Sequence, residues 1–131
     1  MKEVAKTDEL APFEKVTRLT SDDYVSAFRV LEPEMTTKQR TMLLGHASAP
    51  GHTLSMGDIA KLAGYASYTV ANIQYGMLGG RFAGYFGING LDNKTQALAF
   101  AGPEDKQGHW QWTMHPALVD ALKQLGLVKQ N

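Results

Sequence analysis

The sequence contains no cysteine, and its formal net charge is zero. Without cysteine the chain can form neither a disulfide nor a thiolate metal site, so nothing in it requires an oxidising compartment. Thirteen Lys and Arg residues balance thirteen Asp and Glu residues. Such a chain lacks the excess of positive charge that supplies most nonspecific affinity for DNA phosphates. These absences exclude a disulfide-stabilised scaffold and a strongly basic nucleic-acid binder.

Long apolar runs are missing as well. No segment has the length of a membrane span, and residues 1–14 alternate charged with small and apolar side chains instead of forming the apolar core of a signal peptide. With 131 residues, 44% of them hydrophobic and 20% charged, the chain is large and apolar enough to bury a core. We therefore expect a cytoplasmic protein without membrane contact, in which residues 1–18 are a flexible lead-in and residues 19–131 form one domain.

Positive charge concentrates in the middle of the chain. Residues 1–34 carry five basic and eight acidic side chains, a balance of −3, whereas residues 35–90 carry four basic side chains against Asp58 alone, a balance of +3. The four basic residues are Lys38, Arg40, Lys61 and Arg81. We expect these side chains to make the phosphate contacts if the protein binds nucleic acid.

Hydrophobic periodicity predicts a mainly α-helical domain with a small β-hairpin, an α+β fold. N-cap residues precede the early helices, a polar loop separates the two strand candidates, and proline and glycine delimit the last helix. The predicted segments are helices capped at residues 20–21 and 36–37, strands at 95–101 and 109–114 around a loop at 102–108, and a helix between Pro116 and Gly126.

Two short helices with a tight turn between them are predicted in residues 55–77. Ser55 is an N-cap candidate, Gly64 can end the first helix in the left-handed conformation, and Ser67 offers a new N-cap three residues later. This spacing is typical of a helix-turn-helix, in which the second helix, residues 67–77, reads DNA. Small residues lie where the two helices would cross, and the strands of a hairpin follow. The order of elements therefore favours a winged helix-turn-helix.

The orientation of the second helix decides which of its side chains are exposed and available to contact DNA. We expect Val70 and Ile73 to pack on the first helix, so that Tyr68, Asn72 and Tyr75 point outward at the spacing i, i+4, i+7. We also expect the pair Gly79–Gly80 to end the helix. An unbroken helix would place Arg81 on the face of Val70 and Ile73, where its charge would be buried.

The predicted DNA-binding residues combine polar side chains of the second helix with the basic residues. Asn and Gln can bond to an adenine edge, Ser, Thr and Tyr can hold phosphates, and Ala71 can touch a thymine methyl group. The candidates are Ser67, Tyr68, Thr69, Asn72, Gln74 and Tyr75, together with Lys61, Arg81, Lys38 and Arg40.

The run Asn-x-Gln-Tyr-Gly-x-Leu-Gly at residues 72–79 carries a family resemblance. Gly64-Tyr65 precedes it, and a Trp112 strand later runs into the Pro116 helix with its Leu125-Gly126 ending. Over residues 37–128 the chain resembles a bacterial winged-helix module that occurs beside HNH nuclease domains in restriction-type proteins. The resemblance implies recognition of duplex DNA, unmodified or modified. No His-Asn-His or zinc-binding segment is visible, so any cleavage would come from a partner nuclease.

Catalytic and metal sites lack support in the sequence. The four histidines, His46, His52, His109 and His115, lie in two distant pairs without carboxylates at metal-ligand spacing, and His46 and His52 flank a loop where they could meet phosphate. No nucleophile elbow or phosphate-binding glycine motif is present. We expect a non-catalytic protein with no cofactor and no metal.

Two alternatives stay open. The domain could be a protein-interaction or adaptor module without DNA contact, since it is neutral and the predicted wing loop has only Lys106 against Glu104 and Asp105. Trp110 and Trp112, on one face of a predicted strand, could line a pocket for an extruded base, although core packing is the preferred interpretation.

Overall fold

Helices dominate the structure, a computed structural model that describes residues 10–104, 106 and 108–130. In chain order the elements are α1 (Pro12–Thr17), α2 (Ser21–Leu31), α3 (Thr37–Ser48), β1 (Thr53–Ser55), α4 (Met56–Ala63), α5 (Tyr68–Phe86), β2 (Ala99–Glu104), β3 (Trp110–Met114) and α6 (Pro116–Gln124). Short 3₁₀ turns cover Glu32–Glu34, Pro50–His52 and Lys94–Ala97. The predicted α+β class with few strands is confirmed.

The N-terminal region differs from the prediction of a lead-in that reaches residue 18. Residues 12–17 form helix α1, which begins with Pro12 in its first turn, and Val16 of this helix is buried. Proline fits the first turn because its missing N–H would have no partner within the helix. Residues 1–9 of the predicted lead-in lie outside the described residues.

Reciprocal caps begin α2 and α3 where the sequence predicts them. The hydroxyl of Thr20 accepts a hydrogen bond from Asp23 N–H at 3.2 Å, and the Asp23 carboxylate accepts one from Thr20 N–H at 2.8 Å. Thr36 and Gln39 form the same pair at the start of α3. Each pair satisfies backbone donors that have no partner inside the helix.

Helix α2 packs against both α6 and α5 and contributes to the core. Tyr24 of α2 is fully buried and its hydroxyl donates to the carbonyl of Ala97 at 2.7 Å. Leu118 and Leu122 of α6 are also fully buried. Gly126 closes α6 as predicted, with Leu127 N–H donating to the Leu122 carbonyl at 3.0 Å.

The sheet has three antiparallel strands in the order β1-β3-β2. β1 pairs Leu54 with Trp112, and β2 pairs Ala99 with Met114. The sequence did not predict β1, because three residues are too few to show alternation. β2 begins at Ala99 instead of residue 95, because Asn93 caps a 3₁₀ turn by accepting from Thr95 N–H at 2.9 Å.

Gly64 joins α4 to α5 as predicted. It has φ 77°, and the next residue, Tyr65, donates its N–H to the carbonyl of Ala60 at 3.0 Å. Only glycine adopts this backbone conformation at no steric cost, and the bond satisfies a carbonyl left open at the helix end. At the other end of α4, the Ser55 hydroxyl accepts from Asp58 N–H at 3.1 Å, as its N-cap assignment requires.

The predicted break at Gly79–Gly80 is wrong, because α5 continues for 19 residues to Phe86. Gly79 instead allows the 3₁₀ turn at Lys94–Ala97 to approach the helix closely. A Cβ on Gly79 would lie 2.2 Å from the carbonyl oxygen of Lys94. The glycine therefore serves a close contact between two backbones, and its helical cost is offset by that packing.

The predicted orientation of α5 is also wrong. Its fully buried residues are Ala71, Tyr75, Leu78 and Phe82, at the spacing i, i+4, i+7, i+11. The residues expected to face inward, Val70 and Ile73, are 42% and 56% exposed. Among the described helices, none combines the length and apolar character needed to cross a bilayer.

Candidate nucleic-acid interface

The first two turns of α5 present a polar and aromatic surface to solvent. Ser67, Tyr68, Thr69 and Asn72 are exposed there, and Tyr68 is 64% exposed. The backbone N–H groups of a first helical turn have no partner within the helix and give that end a partial positive charge. Four of the six candidates predicted on this helix thus lie together at its exposed start.

Tyr75, predicted to point outward, is fully buried. Its hydroxyl lies 2.8 Å from Nδ1 of His46, and Nε2 of the same ring lies 2.8 Å from the carbonyl oxygen of Trp112. A carbonyl can only accept, so Nε2 carries the proton and donates to Trp112, and Nδ1 accepts from the Tyr75 hydroxyl. This chain of hydrogen bonds joins α3, α5 and β3.

Burial keeps the His46 imidazole neutral. Desolvation lowers the pKa of His46 to about 4, and it outweighs the backbone hydrogen bond to Trp112, which acts in the opposite direction. Burial also raises the pKa of the Tyr75 hydroxyl. The expectation that His46 meets phosphate is therefore wrong, because the ring is fully buried and both nitrogens are engaged inside the protein.

Gln74 and Ala71 also lie away from the exposed start of α5. Gln74 is half-buried, and its side-chain oxygen accepts a hydrogen bond from Gln39 at 3.4 Å. Ala71 is fully buried, which rules out the expected contact with a thymine methyl group. A sequence-based assignment reached the wrong face because α5 is apolar on two sides, and periodicity alone does not say which one packs.

Of the four basic candidates, two bind other groups of the protein and two are exposed lysines. Arg81 donates to the carbonyl of Glu34 at 3.0 Å, and Arg40 forms an ion pair with Glu32. Lys38 is exposed on α3, with its Nζ 4.6 Å from the ring centroid of Tyr65, and Lys61 is exposed on α4. The two lysines flank the turn between α4 and α5.

Arg81 does share a face with Val70 and Ile73, as the helical geometry predicts. That face is outside, so its charge is not buried without a partner. Together with Met77, which is 48% exposed, Val70 and Ile73 form an apolar stripe along α5. Exposed apolar side chains that follow one another along a helix are typical of a contact surface.

A concave pocket of about 390 Å³ opens between the start of α5, the start of α4 and β3. Its walls include Met56, Tyr68, Asn72, Asn93, Trp110 and Trp112. Trp112 is 9% exposed, which confirms its predicted core packing, whereas Trp110 is 58% exposed and is not a core residue. Of the two tryptophans predicted on one face of the strand, Trp112 therefore packs in the core and Trp110 lies at the rim of the pocket.

The remaining histidines have structural partners. A ring nitrogen of His52 lies 2.6 Å from the Ala47 carbonyl, and one of His115 lies 2.8 Å from the Gln96 carbonyl. Burial lowers the pKa of His115. Within the part of the chain that the structure describes, no three His, Asp or Glu side chains are grouped as a metal site would require.

No protein-family model matches the chain, and no curated protein or solved structure shows a match to it either. The functional assignment therefore depends on the geometry of these residues.

Proposed function

We propose that this chain is a winged helix-turn-helix domain that binds duplex DNA with the first two turns of α5. The observation that carries the proposal is the left-handed turn at Gly64, after which α5 packs against α4 with Tyr68 and Asn72 exposed at the pocket beside β3. The element order α3-β1-α4-α5-β2-β3 and the sheet order β1-β3-β2 support the proposal, because a winged helix would arrange its elements in this way. In that fold the second helix of the pair enters the major groove.

The chemistry of the exposed end of α5 suits this role. Asn72 can bond bidentately to the N6 and N7 edge of an adenine, and Val70 can contact a thymine methyl group. Ser67 and Thr69 can bond phosphate oxygens at the helix N-terminus, where the partial positive charge favours anions. Lys38 and Lys61 add two exposed cations, on α3 and α4.

A matched pair of asparagine variants tests the proposal. A fluorescein-labelled duplex is first selected from a random pool and then titrated with the protein by fluorescence anisotropy. Asn72→Ala is expected to weaken binding about tenfold, because a bidentate contact to a base contributes roughly 1–3 kcal/mol. Asn89→Ala removes an exposed asparagine that follows α5 and serves as the control. Selection of no duplex, or equal loss in both variants, would contradict the proposal.

A second candidate function, docking of a protein partner, is favoured by one observation, the apolar stripe of Val70, Ile73 and Met77. A photo-crosslinking amino acid in place of Ile73 separates the two functions. Crosslinks to DNA are expected if this face approaches the groove, and crosslinks to a protein are expected if it binds an adaptor or nuclease chain. The same substitution at Asn89 provides the background for both products.

A further inference from the structure

The pocket beside the exposed start of α5 combines aromatic walls with two amide groups. Tyr68 and Trp110 provide exposed rings, and Trp112 provides a largely buried one. Most ligand sites are similarly apolar concavities of about 300–1,000 Å³ with a few polar groups that set orientation. The volume of about 390 Å³ is at the small end of this range, which suits a ligand of one or two rings.

The two asparagines at the pocket offer different hydrogen-bonding groups. Asn93 accepts from Thr95 N–H with its Oδ1, which leaves its amide N–H groups for a ligand acceptor. Asn72, on the exposed side of α5, has both an acceptor and two donors. A planar ligand with acceptors and donors along one edge matches this pair, and aromatic side chains bind such planar rings by stacking.

We propose that this pocket binds one nucleobase, which an unstacked nucleotide of DNA presents to it. The inference rests on the proposed function, since the pocket opens between the helix and the hairpin that would face the duplex. A base held there would stack on Trp110 and bond to Asn93 and, in place of the paired adenine of the groove contact, to Asn72. Unstacking a paired base has a cost, so an unpaired or mismatched base is the preferred occupant.

Tryptophan fluorescence reports directly on this pocket. The chain has two tryptophans, and both line it. The protein is titrated with a paired duplex, with the same duplex carrying one unpaired adenine, and with free adenosine. We expect quenching by the duplex with the unpaired base and about tenfold tighter binding of it than of the paired duplex, since stacking of one base on an aromatic ring is worth roughly this factor.

Trp110→Ala is expected to abolish the preference for the unpaired base, so that the variant binds the two duplexes with equal affinity. Phe100→Ala, which removes a partly exposed ring on the neighbouring strand outside the pocket, is the control and should keep the preference. Anisotropy of the labelled duplexes measures affinity for both variants without relying on tryptophan.

The outcomes separate this inference from the proposed function. Equal affinity for the two duplexes, with no quenching by adenosine, overturns the nucleobase pocket and leaves binding of paired DNA untouched. Quenching by adenosine alone, with no duplex bound, overturns presentation by DNA and the proposed function together. If the unpaired-base duplex still quenches the fluorescence of both Trp110→Ala and Phe100→Ala, the inference is also overturned.

Discussion

Acidification from pH 7 to pH 4 is expected to destabilise the fold through His46. In the unfolded chain an imidazole takes up a proton near pH 6.5, whereas in the folded protein burial lowers the pKa of His46 to about 4. Between these values the unfolded state binds more protons than the folded state, so the free energy of unfolding falls as pH falls. The stabilisation is fully present above pH 6.5 and lost by about pH 4.

The size of the effect follows from the pKa difference. Each unit is equivalent to about 1.4 kcal/mol, so a displacement from 6.5 to about 4 gives roughly 3 kcal/mol of lost stability. This is a large part of the 5–15 kcal/mol typical of a domain. The ring is fully buried, so solvent screening does not reduce this value.

Urea unfolding at pH 7, 6, 5 and 4, followed by circular dichroism, measures the loss. His46→Gln keeps one donor and one acceptor near Trp112 and Tyr75 but cannot take up a proton. Over this pH range its free energy of unfolding should therefore fall by about 3 kcal/mol less than that of the wild type. The difference between the two proteins isolates His46 from His115, whose pKa burial also lowers. Parallel pH curves for wild type and His46→Gln would refute the assignment of a neutral, buried imidazole.

Three further predictions test the packing of α5 and its charged surroundings. Gly79→Ala should destabilise the protein by about 3 kcal/mol or more, because the added Cβ would meet the Lys94 carbonyl. Gly84→Ala is the control and should stabilise the protein by up to about 1 kcal/mol, because its Cβ would face open space in the described structure. Thermal melts compare the two variants. Tyr75→Phe should lower the free energy of unfolding, measured in urea, by roughly 1–3 kcal/mol, since it leaves His46 Nδ1 without its donor. Tyr85→Phe, on the exposed side of α5, should lower it by less than about 0.5 kcal/mol. Equal losses in the two variants would contradict the hydrogen bond. Lys61→Gln should reduce the slope of log affinity against log salt by about 0.9 if this lysine contacts one phosphate, whereas Lys129→Gln near the C-terminus should leave the slope unchanged.

Local signals in the sequence identified the starts of α2, α3 and α4 and the ends of α4 and α6. Ser55, Thr20 and Thr36 cap helices because their side-chain oxygens reach free backbone donors three residues ahead, a property of the local sequence alone. Gly64 was equally predictable, since its left-handed conformation depends on its own lack of a Cβ. Such effects need no knowledge of the rest of the chain.

Features that depend on distant contacts were not predictable in this way. Gly79 looked like a helix breaker, and its partner, the carbonyl of Lys94, lies 15 residues further along the chain. β1 exists because Thr53 pairs with Thr113, 60 residues away. The engagement of Arg81 by the Glu34 carbonyl likewise joins two segments that no local pattern relates.

The rotation of α5 about its axis was the most consequential error, and its physical basis lies in His46. Over residues 68–78 both candidate faces of α5 are apolar, so burial of apolar area there does not distinguish them. Only Arg81, further along the exposed face, disfavours burial of that face. A fully buried imidazole, however, needs a partner for Nδ1, and Tyr75 brings a hydroxyl to it whereas Val70 and Ile73 have no polar atom. Turning α5 so that Val70 and Ile73 point inward would leave that nitrogen unsatisfied, which costs roughly 1–3 kcal/mol. The hydrogen bond between Tyr75 and His46, together with the charge of Arg81, thus selects the rotation that buries Tyr75 and places Val70 beside Tyr68 and Asn72 on the exposed side of α5.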